Sequence, residues 1–409
     1  MFPVSVFRIL QGNQSYSNNN GNIGSSYVTE GYYMFIFIRA RHIAAVAVLF
    51  AVVIAVFVFA SNGRNDYLLV WDDSVPVNSD LSEEFARYLE KIIRTRDKAM
   101  LENEIESIKP LYNVNTRLGT YAFEHEKKKI EYLQNWAEKQ GVNFQDINTF
   151  FKIRWVKEKG SKVTVNFSAI TEYTYVYINM PGTQNRFRIA TYHLLELASD
   201  DDNWLITKEW YTDPFADSLN SDTLKAEDNK VYILSQEPRD FSNLNERRIK
   251  AVEYADLYCG ASDNEDYYFR YNNEYKNYNS LGGDCTNFAS QALYAGGFRK
   301  TGSWNYEKDG SRAWVNAQGF KDYLLYSGRG SLIVHGTYDK VLKLSYKLLP
   351  GDIIAYEKKG KVAHISVVTG ADSRGYTLVN CHNTDRFRVP WDLGWSDKGI
   401  KFWLIRVNY

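Results

Sequence analysis

GGDCTNFASQALYAGGF, residues 282–298, is the stretch that decides how the last third of this chain is read. Gly282 and Gly283 permit a tight backbone turn. From Thr286 onward, Phe288, Ala289, Ala292 and Leu293 recur at helical spacing, and Gly296 and Gly297 supply a stop. Cys285 is therefore expected at a helix N-terminus. A free thiol titrates near about 8.5, and the thiolate is the nucleophile. The helix macrodipole favours the anion, and the unpaired N–H groups of a first turn bind an oxyanion. The same pattern also suits a buried structural cysteine, so a partner base has to separate the two readings.

That partner is sought downstream, in LLPGDIIAYEKKGKVAHISVVTG, residues 348–370. Pro350-Gly351-Asp352 reads as a turn, Ile353–Tyr356 as a strand, Lys358–Lys361 as a hairpin connection and Val362–Thr369 as the next strand. His364 lies inside that last strand. A histidine in an apolar strand is usually a core residue. A cysteine at a helix start followed by such a histidine is the pattern of a nucleophile and its general base. A third group should orient the imidazole. YTLVNCHN, residues 376–383, reads as a further strand; Asn380 and His382 share one face, Cys381 and Asn383 the other. A one-residue change in register exchanges the faces, so His382 is the first candidate and Asn383 the second. Cys381 and Cys259 are expected to be small buried hydrophobes.

Upstream of this constellation, Ile249, Val252, Ala255 and Tyr258 predict a helix, followed by a Tyr- and Asn-rich loop to Ser280. Residues 216–244 are polar and read as a linker, with one short apolar run, Val231–Leu234, suggesting a strand. Residues 80–215 show helices first and strands after. Asp80 and Glu83 mark a helix start, an apolar stripe runs from Leu81 to Ile108, and Pro110 ends it. A second helix is expected over Glu124–Lys139, closed by Gly141. Lys162–Tyr177, Phe187–Ala198 and Trp204–Tyr211 carry strand-like runs. The order implies α+β. No catalytic cluster stands out there, and His125 and His193 are expected to be ordinary surface or core residues.

Ile43–Ala60 is an uninterrupted apolar run of 18 residues, near the length of about 20 that spans a bilayer. Arg39 and Arg41 precede it, so as an anchor it places residues 1–42 in the cytoplasm and the rest outside. With Met34 as the start and Val58-Phe59-Ala60 as a cleavage site, the same run reads as a signal peptide. Residues 11–33, rich in Asn, Ser and Gly, read as disordered. Lys plus Arg and Asp plus Glu both number 49, a neutral balance that gives no support for a nucleic-acid partner. Three cysteines without a C-x-x-C pair argue against a disulfide framework and a thiolate zinc site. No metal or organic cofactor is expected.

DCTNFASQALYAGGF, LLPGDII and AHISVVTG together resemble the amidase domain of many Gram-positive extracellular proteins, a relative of the NlpC/P60 and CHAP hydrolases of the papain-like superfamily. ERRIKAVEYADLY, SRAWVNAQGFKDYL and CHNTDRFRVPW resemble further segments of that family, so the likeness covers about residues 245–409. It implies a papain-like α+β domain with Cys285 as nucleophile, His364 as base and then acid, and His382 as orienter. Asp284 precedes the nucleophile as in the relatives, where its role is structural. Asn383 stands where the family has a small hydroxyl residue. The resemblance also implies amide hydrolysis in peptidoglycan, outside the cytoplasmic membrane. LLELASDDDNWLITKEWYTDPF resembles the closing hairpin of cone-shaped NTF2-like domains. The competing readings are a protein-directed cysteine protease or deamidase and a catalytically silent wall-binding module.

Overall fold

The computed structural model describes residues 79–200, 203–219 and 229–409. The apolar run at 43–60 lies outside them. Among the described residues no helix is long and apolar enough to cross a membrane.

Helix α1 (Ser79–Glu102) buries Phe85, Leu89, Ile92, Ile93 and Met100 along one stripe. The stripe does not run on to Ile108 as one helix. Asn103 adopts a left-handed φ of 57°, and a short 3-10 turn, Ile105–Leu111, carries Pro110 within it. Helix α2 (Arg117–Gln140) begins earlier than Glu124 because Thr116 caps it, its side chain accepting from the Gly119 amide. Gly141, at φ 71°, closes it in the left-handed conformation.

The helices pack on an antiparallel meander of β1 (Val142–Lys159), β2 (Lys162–Tyr177), β3 (Met180–Asp200) and β4 (Asn203–Tyr211). Strand β1 fully buries only Val142 and Ile147 and carries bulges at Phe144/Asp146 and Ile153/Trp155, which break its period-2 signal. The run Val231–Leu234 forms a short helix, α3 (Lys230–Leu234), instead of a strand. Short apolar runs do not distinguish the two by periodicity.

The remaining chain adds α4 (Glu246–Tyr258), α5 (Cys285–Ala295), α6 (Arg312–Val315), α7 (Ala317–Tyr326), β5 (Gly330–Gly336) and α8 (Tyr338–Ser345). It ends with β6 (Ile353–Lys358), β7 (Lys361–Ala371), β8 (Thr377–Cys381), β9 (Asp385–Pro390) and β10 (Lys401–Val407). The strands join one antiparallel sheet in the order β1-β2-β3-β9-β8-β7-β6-β10-β5, with β4 also on β3. The architecture is mixed α+β, as the order of signals implied.

The seam is β3 against β9, where Arg188, Ile189 and Ala190 face Phe387, Arg386 and Asp385. On one side of the seam, Ile353, Ala355, Ile365 and Val367 form a core with Phe288, Ala289, Ala292 and Leu293 of α5. A second core joins α1, α2 and the meander to Tyr356, Tyr376, Val389, Trp391 and Phe402. The central strands are buried on both faces, so they read as continuous apolar runs.

Candidate active site

Helix α5 starts at Cys285 because the preceding residues cannot be helical. Gly282 and Gly283 sit at φ 110° and 126°, where a side chain is strained. A Cβ on Gly283 would lie 2.1 Å from Asn383 Nδ2. That close approach lets the Asp284 amide donate to Asn383 Oδ1. Cys285 is buried at 5% exposure, with its Sγ 3.7 Å from Thr286 Oγ1. Burial raises the thiol pKa; the Ile365 amide, the Thr286 hydroxyl and the Thr286 amide work in the opposite direction. The thiol of the resting protein is therefore protonated at neutral pH, beside the backbone that follows His364.

His364 is buried, its ring against Trp395 at 5.0 Å and Tyr356 at 5.3 Å. Its Nε2 has no hydrogen-bond partner. Burial, reinforced by the Arg386 charge, brings its pKa down to about 3. Its neighbours on β7, Ile365 and Val367, pack into the core of α5. Successive strand residues point to opposite faces, so His364 is directed away from that core. No hydrogen bond joins Cys285 to His364, and neither His382 nor Asn383 bonds to His364.

His382 and Asn383 are brought to Cys285's turn instead. Strand β8 ends at Cys381, not at Asn383, and Asn383 and Thr384 both take φ 63°. Beyond the strand end, alternation no longer sets which way a side chain points. His382 Nδ1 lies 2.6 Å from Asp284 Oδ2, and its Nε2 lies 2.6 Å from the Tyr258 carbonyl oxygen. Both partners are acceptors, so both ring nitrogens are placed to donate, the arrangement that suits an imidazolium. Burial opposes that charge, but Asp284, Asp385 and the Tyr258 carbonyl outweigh it and raise the His382 pKa. The ring is clasped between Tyr271 at 3.9 Å and Phe288 at 4.2 Å. Asp284 Oδ1 meanwhile accepts from the Tyr278 amide and from Asn287 Nδ2.

Two further residues complete this network, of which Tyr271 carried no signal in the sequence, while Asp385 is the Asp that recurs after the His in the resemblance of CHNTDRFRVPW. Tyr271 lies in the polar loop, and its hydroxyl donates to both oxygens of Asp385, at 2.6 and 2.7 Å. Asp385 is buried, which pushes its pKa up to about 6 against the His382 charge and the Tyr271 and Tyr192 hydroxyls. It stands three residues after His382 in CHNTDRFRVPW, with no role assigned to it by the resemblance. Cys381 is buried, and burial pushes its thiol up to about 12. Cys259 is likewise buried with a raised pKa, as expected of a small hydrophobe.

Among the described residues no group of His, Cys, Asp and Glu is arranged to hold a metal ion. Within the meander, a cavity of about 50 Å³ is lined by Arg96, Asp97, Lys129, His193 and Tyr211. Arg96 pairs with Glu209 at 2.6 Å, and His193 Nδ1 lies 3.2 Å from the same carboxylate, its ring stacked between Phe167 and Tyr211. His125 pairs with Asp213 at 2.8 Å.

A glycine turn that presents a cysteine at a helix N-terminus against an antiparallel sheet defines a candidate thiol-dependent acyl-transfer site. Residues 245–405 match the family model described as "Putative amidase domain", which suggests amide hydrolysis for this region. Two uncharacterized Bacillus subtilis proteins are similar. YhbB is 33% identical over 153 residues, 35% of this chain and 43% of that protein. YjcM is 34% identical over 155 residues, 35% of this chain and 34% of that protein. The chain thus spans less than half the length of these relatives. Among solved structures, an NTF-2 like protein of unknown function from Shewanella oneidensis is 12% identical with a TM-score of 0.18, covering 30% of this chain and 94% of that one.

Proposed function

We propose that residues 245–409 form a papain-like cysteine hydrolase that cleaves amide bonds, with Cys285 as nucleophile and His364 as base. The observation that carries this reading is the seating of Cys285 at the first position of α5, behind two glycines at positive φ. The first-turn N–H groups of α5 then face the carbon that Cys285 attacks and hold the oxyanion. His364 is neutral and so can accept a proton, but a pKa of about 3 makes it a weak base in its buried resting place. In this reading His364 has first to turn from the Tyr356 and Trp395 side, where the resting structure holds it, toward the thiol. It then takes the thiol proton, the thiolate adds to the amide carbonyl, and the proton passes to the leaving amine, after which water frees the acyl group. His382 acts as a positioning residue, fixing Asp284 and with it the turn.

The substrate we propose is a peptidoglycan amide, met outside the cytoplasmic membrane, with residues 43–60 as anchor or leader. The test is digestion of purified peptidoglycan by the full chain, with Cys285→Ala as control and mass spectrometry of the products. Fragments released by the wild type alone support the reading, and their masses name the bond. Cleavage of a protein substrate with intact peptidoglycan untouched would replace the substrate. Absence of any amide cleavage by folded protein would overturn the enzyme reading.

A further inference from the structure

The meander contributes a side chain to the network around Cys285. Strand β3 pairs with β9 through Ala190 and Asp385. Two residues further along β3, the Tyr192 hydroxyl donates to Asp385 Oδ2 at 3.0 Å, and both residues are buried. The same carboxylate accepts from Tyr271, whose ring lies 3.9 Å over His382. His382 holds Asp284, and Asp284 is the residue bonded directly to Cys285. The space is closed: a Cβ on Gly260 would come within 2.3 Å of Asp385 Oδ2. A buried carboxylate so confined has few alternative partners, so removing one donor is felt by the others.

We propose that Tyr192, supplied by the meander, is a positioning residue for Cys285, acting through Asp385, Tyr271 and the His382–Asp284 pair. The meander is then part of the active site's frame, not a spacer. This rests on the hydrolase reading for its effect on turnover. Its effect on thiol reactivity stands apart from that reading.

The geometry behind it is an unbroken chain of contacts. Tyr192 and Tyr271 steady the carboxylate, the carboxylate steadies the ring that Tyr271 covers, and the ring steadies the turn. The groups facing Asp385 from each packed element are Tyr192 on β3, Tyr271 and Cys259 on the loop side, Asp284 at the start of α5, and His382 and Cys381 after and on β8. Arg154 on β1 faces Tyr192.

The experiment compares full-length wild type, Tyr192→Phe and Asp385→Asn. Iodoacetamide alkylation of Cys285 is followed by peptide mapping from pH 5 to 9, so that Cys259 and Cys381 are counted separately. Turnover on peptidoglycan fragments is measured in parallel, and folding is checked by circular dichroism. Tyr192→Phe removes one hydroxyl from a buried carboxylate, an interaction whose loss corresponds to about tenfold. The expected result is kcat down by about tenfold with KM unchanged, and a displaced alkylation profile in a folded protein. Asp385→Asn is expected to displace the profile further. A wild-type alkylation profile and wild-type kcat in folded Tyr192→Phe would overturn the proposal. If the wild type cleaves no amide at all, the hydrolase reading falls, while the alkylation profiles still decide the positioning role.

Discussion

Replacing His364 with Phe makes a measurable change in how stability depends on pH. The ring is buried between Tyr356 and Trp395, its Nε2 lacks a partner, and burial brings its pKa from 6.5 to about 3. The unfolded chain takes up a proton near 6.5, whereas the folded protein refuses it until about 3. Between those limits protons favour unfolding, so this group's contribution to stability is present above 6.5 and is lost as pH falls. At about 1.4 kcal/mol per pH unit, the full loss is on the order of 5 kcal/mol. Phe fills the same space and does not titrate. Removing an unsatisfied buried nitrogen also leaves the variant about 1 kcal/mol more stable at pH 7.5. Urea denaturation of both proteins at pH 7.5, 6.5, 5.5 and 5.0 measures the gap. The gap should be flat above 6.5 and widen by roughly 2 kcal/mol by pH 5. Asp97 and Asp385 titrate in both proteins and cancel from the difference. A gap that stays constant from pH 7.5 to 5.0 would refute the burial argument and with it the neutral base.

Three further outcomes follow from the same geometry. Asp284→Asn leaves the His382 imidazolium buried without its carboxylate, and chemical denaturation should show a loss of about 3 kcal/mol near pH 6. Because the His382 pKa is raised, that stabilisation is complete below 6.5 and disappears as pH rises through the folded value, so the wild-type advantage should shrink at high pH. Gly283→Ala places a Cβ 2.1 Å from Asn383 Nδ2 at φ 126°, and should lower stability by roughly 2 kcal/mol in urea while slowing Cys285 alkylation. Gly260→Ala places a Cβ 2.3 Å from Asp385 Oδ2, and should move the His382 resonances in an NMR titration even where the protein remains folded.

Helix α5 was legible from residues 282–298 because glycine turns and a 3.6-residue period are local properties. The same holds for α2 and its Gly141 stop. His364 was legible as a residue in a strand but not in its direction, since which face it takes depends on packing against the distant segment that carries Trp395. The choice between His382 and Asn383 rested on alternation in a strand expected to reach Asn383. The strand ends two residues earlier, and both side chains turn to Asp284 and its amide. Strand β1 escaped notice because it buries few residues and two bulges break its alternation. Tyr192 reaches Asp385 only through the β3–β9 pairing, and no local pattern announces a contact across 193 residues.

That pairing bears on where the chain can be cut. A fragment beginning at residue 240 would keep every residue matched to the amidase family model and would lose β3. Its β9 would become an open edge, with unpaired backbone groups available to other chains. Asp372, buried and holding the Tyr175 and Tyr177 hydroxyls at 2.8 and 2.7 Å, would lose both donors. Arg386 would lose the Pro214 carbonyl, and Gly394 and Ser396 would lose Tyr132. The cut would also bare Tyr376, Val389, Trp391 and Phe402, which share a core with α1, α2 and the meander, and burying each such side chain is worth about 1.5–3 kcal/mol. The fragment 240–409 should therefore self-associate on size-exclusion chromatography and unfold without a sharp transition, where the full chain remains discrete. A monomeric fragment with the cooperative melt and Cys285 reactivity of the full chain would show that the shared sheet is only an abutment. Failure of the fragment alongside an active full chain would mean that the catalytic unit extends back to residue 79, and that the meander evolved as one of its walls.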